Sequence, residues 1–128
     1  INFINDSKGT NIFSTKAAIN TFKGNTILIL GGSKDSIENN VFLKIIDKKH
    51  IIYIVSYGEA GKELVEILKQ IKPIKYNPIF KGAVIEAIKL AKKDDIVLLS
   101  PAFKSYDQFN SFEERGNEFE KIIKHYYA

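Results

Sequence analysis

Short apolar runs alternate with amphipathic stretches along this chain, and the alternation predicts its fold. Ile1–Ile4, Thr26–Leu30, Ile51–Val55 and Ile96–Leu99 are apolar segments of strand length, the pattern of strands covered on both faces. Between them the apolar residues recur at helical spacing. This predicts helices over Ser14–Phe22, capped by Ser14, over Asn39–Ile46, over Gly61–Ile71 with Leu64, Val65, Leu68 and Ile71 on one face, and over Ala83–Ala91. Gly31-Gly32 breaks the second strand, Pro73 closes the third helix, and Asn77–Phe80 reads as a short extended piece. Repeated β-α units of this kind predict an α/β class, three-layer and Rossmann-like, with a mainly parallel sheet and helices on both faces.

The segment after the last strand is less regular. Ser100 falls where that strand ends, which in an open α/β sheet is the ligand-binding edge. Ser105 with Gln108, and Ser111 with Glu114, fit the S-x-x-E/Q capping box, so a helix start lies close by, and helix starts attract carboxylates and phosphates. From Phe109 onward Phe109, Phe112, Phe119, Ile122, Ile123 and Tyr126 form an apolar stripe suited to packing on the sheet. Gly116 is costly inside a helix, by roughly 1 kcal/mol relative to alanine, and so needs a packing or functional reason. Arg115 beside it offers a planar fork either for a ligand anion or for a structural salt bridge to a nearby Asp or Glu; the salt bridge is the preferred reading.

Composition narrows the class. A length of 128 residues with 45% hydrophobic content suits a single domain over 1–128 with a sizeable core. No stretch approaches a membrane span, and the first residues lack a signal-peptide layout. The absence of cysteine excludes a disulfide framework, a thiolate metal site and a cysteine nucleophile, and fits a cytoplasmic protein. With no methionine and Ile1 at its head, the chain is expected to be cut from something longer. A net charge of +4 raises the question of nucleic acid, but the lysines fall at expected helix ends and faces, and no nucleic-acid-binding motif accompanies them.

Individual motifs leave alternatives open. Gly31-Gly32-Ser33-Lys34-Asp35 can cradle an anion or simply turn the chain, and it matches neither the P-loop nor G-x-G-x-x-G. The second turn, 56–61, reads as a plain strand-to-helix connection. Asp6, flanked by Lys8 and Thr10, can hold a ribose hydroxyl beside a phosphate, or form an Asx turn at a helix start. Asp94-Asp95 resembles a polar turn, and His50 and His125 read as surface residues. No metal-ligand cluster or catalytic triad is recognisable.

Two stretches resemble a known family. Ser100-Pro101-Ala102, Ser105, Asp107-Gln108-Phe109, Phe112, Arg115-Gly116 and Asn117-Glu118-Phe119 are similar, in order, to the S-P-A-x-x-S-x-D-Q-F, F-x-x-R-G and N-E-F signature of the D-glutamate-adding Mur ligases. Asn5-Asp6-Ser7-Lys8-Gly9-Thr10-Asn11 and Ser14-Thr15-Lys16-Ala17-Ala18 are similar to that family's N-D-S-K-A-T-N and S-T-x-A-A.

The resemblance implies a C-terminal, amino-acid-binding domain, with residues 1–13 containing the end of the interdomain linker. It implies that D-glutamate is held by Thr10, Lys34, Ser105 and Phe112, aided by the backbone of Tyr106, which stands where leucine is common. Lys34 is carried over although the glycine turn is slightly shorter than in the family. Asp6 and Lys8 are implied to face ATP. In such ligases ATP phosphorylates the carboxylate of UDP-N-acetylmuramoyl-L-alanine and the amine of D-glutamate attacks the acyl phosphate. ATP, Mg2+ and the UDP substrate are bound mainly by other domains, so no catalytic residue and no metal ligand is expected here, and the isolated chain is expected to be catalytically silent. The rival reading is a non-catalytic Rossmann-like module that binds an acidic metabolite or a protein partner; it leaves the segment from Ser100 to Phe119 unexplained.

Overall fold

A computed structural model describes all 128 residues. Five parallel strands, β1 (Asn2–Asn5), β2 (Thr26–Gly31), β3 (Ile51–Tyr57), β4 (Ile74–Asn77) and β5 (Ile96–Ala102), lie in the order β1-β5-β2-β3-β4. The helices are α1 (Ile12–Thr21), α2 (Asn39–Ile46), α3 (Gly58–Leu68), α4 (Phe80–Leu90) and α5 (Phe112–Tyr126). The expected α/β, three-layer, mainly parallel architecture is present.

Which face each helix takes follows from the strand order. The steps β1 to β2, β2 to β3 and β3 to β4 all carry the chain the same way across the sheet, and the step from β4 back to β5 reverses it. Right-handed crossovers then put α1, α2 and α3 on one face and α4 on the other. The packing agrees. Leu28, Leu30, Ile54 and Leu98 point into one core with Ile19, Phe42, Ile46 and Leu64. The alternate residues Ile27, Ile29, Val55, Val97 and Leu99 point into a second core with Phe80, Val84, Phe119 and Ile122. Period-2 alternation therefore divides nearly continuous apolar strands between two cores, as burial on both faces requires.

Several local expectations shift. Helix α1 begins at Ile12 and is capped by Asn11, whose Oδ1 accepts from the amides of Phe13 and Ser14 at 3.0 Å each. Ser14 lies inside the helix instead of capping it; an asparagine three residues ahead of it already satisfies the free amides. Helix α3 starts at Gly58, three residues earlier than the spacing suggested, and ends at Leu68, so Ile71 lies beyond it. The extended piece is Ile74–Asn77, and Phe80 is the first residue of α4. Asn77 Oδ1 accepts from the Ile79 amide at 3.0 Å, an Asx turn that ends the strand ahead of the helix. Helix α5 begins at Phe112, so Phe109 precedes it, its ring 5.2 Å from that of Phe80 in an edge contact. Phe112 and Tyr126 are exposed and do not join the buried stripe.

Candidate functional site

The loops after β1 and β2 run to helices on one face, whereas the loop after β5 runs to α5 on the other. Because β5 lies between β1 and β2, the chain diverges to opposite faces at the carboxyl ends of these three strands, and a crevice opens there. The residues singled out from sequence lie on the segments that follow these strands: Asp6, Lys8 and Thr10 after β1, Lys34 after β2, and Ser105, Tyr106 and Phe112 after β5.

Hydrogen bonds join the three segments into one rim. The Ala102 amide donates to Gly9 O at 2.8 Å, linking the β1 and β5 segments beside Thr10. The Ser33 amide donates to Lys104 O at 2.8 Å, and the Asp107 amide to Ser33 Oγ at 3.0 Å, linking the Lys34 turn to the Ser105 loop. Ala102, Gly31 and Gly32 take φ of 69°, 145° and 136°. Where β2 meets β5 the ladder register slips between Ile29 and Gly31, so both chains leave the sheet irregularly. The left-handed alanine is a strained backbone of the kind that persists where its surroundings over-determine it.

Thr10 borders a small cleft of about 170 Å³ shared with Asp35, Ser36, Phe42, Ala102 and Phe103. Ser105 is buried, yet its hydroxyl makes no hydrogen bond to the protein; only its carbonyl is engaged, by the amides of Gln108 and Phe109. Lys34 is exposed, and its ammonium forms no ion pair. The amide of Lys34 donates to Glu59 Oε1 at 3.0 Å. Tyr106 is 68% exposed, so its side chain is not enclosed by the protein. Thr10, the Lys34 turn and the Ser105–Tyr106 loop are thus brought together, with a hydroxyl and an ammonium free for an anionic ligand.

Asp6 and Lys8 border a different and larger cleft of about 560 Å³, with Ser14, Ala17 and Phe22 of the α1 region. Asp6 Oδ2 accepts from Ser100 Oγ at 2.7 Å, and Ser100 lies 3.3 Å from Thr15 Oγ1. The Asp6 carboxylate is therefore anchored from the end of β5, with Lys8 exposed beside it. Phe112 is at the start of α5, its carbonyl accepting from Ser7 Oγ at 2.7 Å.

Arg115 departs from expectation. It is fully buried, and no carboxylate pairs with it. Its Nε donates to Ser7 Oγ at 2.9 Å, Nη2 to Ser7 O at 2.7 Å, and Nη1 to Phe103 O at 2.9 Å and to Tyr57 Oη at 3.0 Å. The guanidinium thus ties the β1, β3 and β5 ends together through neutral acceptors, replacing the expected salt bridge. Burial pushes the Tyr57 phenol up to about 12, an effect that the neighbouring Arg115 charge only partly offsets. Gly116 gains its reason here: a Cβ would approach Asn5 Nδ2 and Ser7 Cβ to 3.2 Å, where Asn5 Nδ2 now donates to Gly116 O at 3.1 Å.

The two capping boxes fare differently. Ser111 Oγ accepts from the Glu114 amide at 3.1 Å, half of the reciprocal box. Gln108 does not cap a helix with Ser105; its Oε1 accepts from the Phe80 amide at 3.0 Å and its Nε2 donates to Pro78 O at 2.8 Å, so it caps α4 from across the loop. The 56–61 turn is more than a connection, since it supplies Tyr57 to Arg115 and Glu59 to the Lys34 amide. Sequence reasoning missed Tyr57 and Asn11, and gave Asp107 no role of its own; only the N-cap preference of asparagine offered a local signal.

Comparison with known proteins shows what the chain is similar to. Residues 1–103 match a family model described as Mur ligase, glutamate ligase domain. The chain is 47% identical over 97% of its length to the UDP-N-acetylmuramoylalanine–D-glutamate ligase of Buchnera aphidicola subsp. Baizongia pistaciae, and 38% identical over 97% to that of Coxiella burnetii. It spans 28% and 29% of the length of those relatives. In fold it is similar to a crystal structure of a domain ascribed to a UDP-N-acetylmuramate:L-alanyl-γ-D-glutamyl-meso-diaminopimelate ligase from Haemophilus ducreyi. That likeness has a TM-score of 0.63 at 11% identity, and covers 93% of this chain and 85% of the other.

Proposed function

Because this chain belongs to the Mur ligase, glutamate ligase domain family, we propose that it is the C-terminal, amino-acid-binding domain of a cytoplasmic ligase that joins D-glutamate to UDP-N-acetylmuramoyl-L-alanine in peptidoglycan precursor synthesis. Residues 1–13 contain the end of the linker to the preceding domain. ATP and Mg2+ serve the longer enzyme, and are bound mainly outside this chain together with the UDP substrate.

One observation supports the reading above the others. A serine whose hydroxyl has no protein partner and an unpaired lysine sit on adjoining loops at the crevice, beside Thr10. A dicarboxylate fits donors arranged in this way. Ser105 Oγ, Thr10 Oγ1 and the Lys34 ammonium hold the substrate carboxylates, with the amides near Tyr106 and Phe112 adding hydrogen bonds. Asp6 and Lys8, on the separate larger cleft, face the nucleotide: an anchored carboxylate accepts from ribose hydroxyls and an ammonium meets phosphate. MgATP supplies the acyl-phosphate activation when bound to the longer protein. The part played by this chain is to orient the amino acid and, with the other domains, to exclude water from the reacting centre.

The test is an ADP-release assay of the longer protein with ATP, UDP-N-acetylmuramoyl-L-alanine and either isomer of glutamate. Turnover with D-glutamate and none with L-glutamate is expected. Equal turnover with both, or ADP release indifferent to glutamate, would overturn the assignment and favour a non-catalytic module.

A further inference from the structure

We propose that Asp107 is a positioning residue, a clamp that sets the Lys34 turn against the Ser105–Tyr106 loop by gripping the start of α3. The proposal rests on the D-glutamate reading of this site for its functional consequence; its structural part stands on geometry alone.

Asp107 touches both neighbouring segments. Its amide donates to Ser33 Oγ at 3.0 Å, next to Lys34. Its Oδ2 accepts from the Glu59 amide in the first turn of α3 at 3.3 Å, and Glu59 Oε1 in turn accepts from the Lys34 amide at 3.0 Å. Lys34 is thereby held from both sides, by Ser33 through the Asp107 backbone and by Glu59 through the Asp107 side chain. The packing is close: Gly58 has φ of 72°, and a Cβ there would collide with Asp107 Oδ2. Glycine is therefore required at Gly58 on both counts.

The carboxylate is not placed there for its own solvation. Its Oδ1 is the one buried side-chain polar atom in the molecule without a hydrogen-bond partner, and burial pushes the Asp107 pKa above the ordinary carboxylate value despite the amides that oppose the shift. A half-buried carboxylate with one oxygen enclosed and unpartnered is costly, and its retention on the rim is accounted for by the grip of Oδ2 on α3. The start of α3 adds the favourable end of a helix dipole.

The chemistry that matters is acceptance of the Glu59 amide, so an amide side chain should serve and a methyl group should not. In the chain itself, Asp107→Ala is expected to speed amide hydrogen exchange at Glu59 and Lys34 about tenfold, with Asp107→Asn staying within about threefold of the parent. In the longer ligase, Asp107→Ala is expected to raise KM for D-glutamate about tenfold while leaving KM for ATP unmoved and kcat within about twofold, because misplaced carboxylate-binding groups lose uniform binding. Asp107→Asn is expected to restore most of the loss. Unchanged exchange and unchanged KM in Asp107→Ala overturn the clamp, as does an Asp107→Asn variant as impaired as the alanine. If the longer protein does not ligate D-glutamate at all, the functional reading fails by itself and the exchange measurement alone decides whether Asp107 grips α3.

Discussion

Replacing Arg115 with methionine, similar in bulk but without donors, should damage this fold more than any surface change. The guanidinium makes four hydrogen bonds, all in buried surroundings. Ser7 Oγ survives its loss, because it also donates to Phe112 O. Ser7 O, Phe103 O and the Tyr57 hydroxyl are left without a partner. At about 1.5 kcal/mol for each stranded group the cost is about 4 to 5 kcal/mol. Methionine brings no charge out of water, which returns about a third of that; a net loss of about 3 kcal/mol follows. In urea, with a slope of about 2 kcal/mol/M, the midpoint falls by about 1.5 M, read by far-ultraviolet circular dichroism. Arg115→Lys should fall between the two, since one ammonium cannot span three chain ends. A midpoint within about 0.3 M of the parent at unchanged slope would refute the view that this charge organises the rim.

Three further outcomes are expected. The Tyr57 phenol keeps its proton in the folded chain up to about 12, whereas the unfolded chain releases it near 10.0. Stability is therefore full below pH 10 and declines as pH rises through 12, by about 3 kcal/mol in all; Tyr57→Phe should remove this component from alkaline urea titrations. Asn11→Ala strips the cap from α1 and should cost about 1 kcal/mol in thermal or urea unfolding, while Ser14→Ala should cost little. Ser105→Ala should leave the unfolding midpoint in place, because the hydroxyl has no protein partner, yet raise KM for D-glutamate in the longer ligase at least tenfold, the worth of about 1.5 kcal/mol or more for a hydrogen bond to a charged group.

Much of this architecture is legible in the sequence because burial on both faces leaves an apolar run that nothing else explains. Thr26–Gly31 and Ile96–Ala102 are buried along their whole length, and both are legible as strands, although the expected ends at Leu30 and Leu99 fall short and Ser100 lies within β5 instead of beyond it. Element ends were harder. Asn11, Gln108 and Asn77 each settle a boundary through a side-chain hydrogen bond to a backbone group, and the partner of Gln108 is 28 residues away in the chain. Arg115 was misread for the same reason. Its acceptors are two carbonyls and two hydroxyls from segments up to 108 residues distant, so no neighbouring acid in sequence stood for its true environment. The candidate site residues were reached through the resemblance of two motifs and not through spacing alone. Asp107 sat inside one of those motifs, but the role argued for it comes from α3, which local sequence does not place beside it.

The most direct test of the half-site for D-glutamate is a two-dimensional amide NMR titration of this chain with D-glutamate, with L-glutamate as the control. The account expects saturable shifts at Thr10, Lys34, Ser105 and Phe112 with the D isomer alone. Identical responses to both isomers, spread over the exposed lysines, would contradict it.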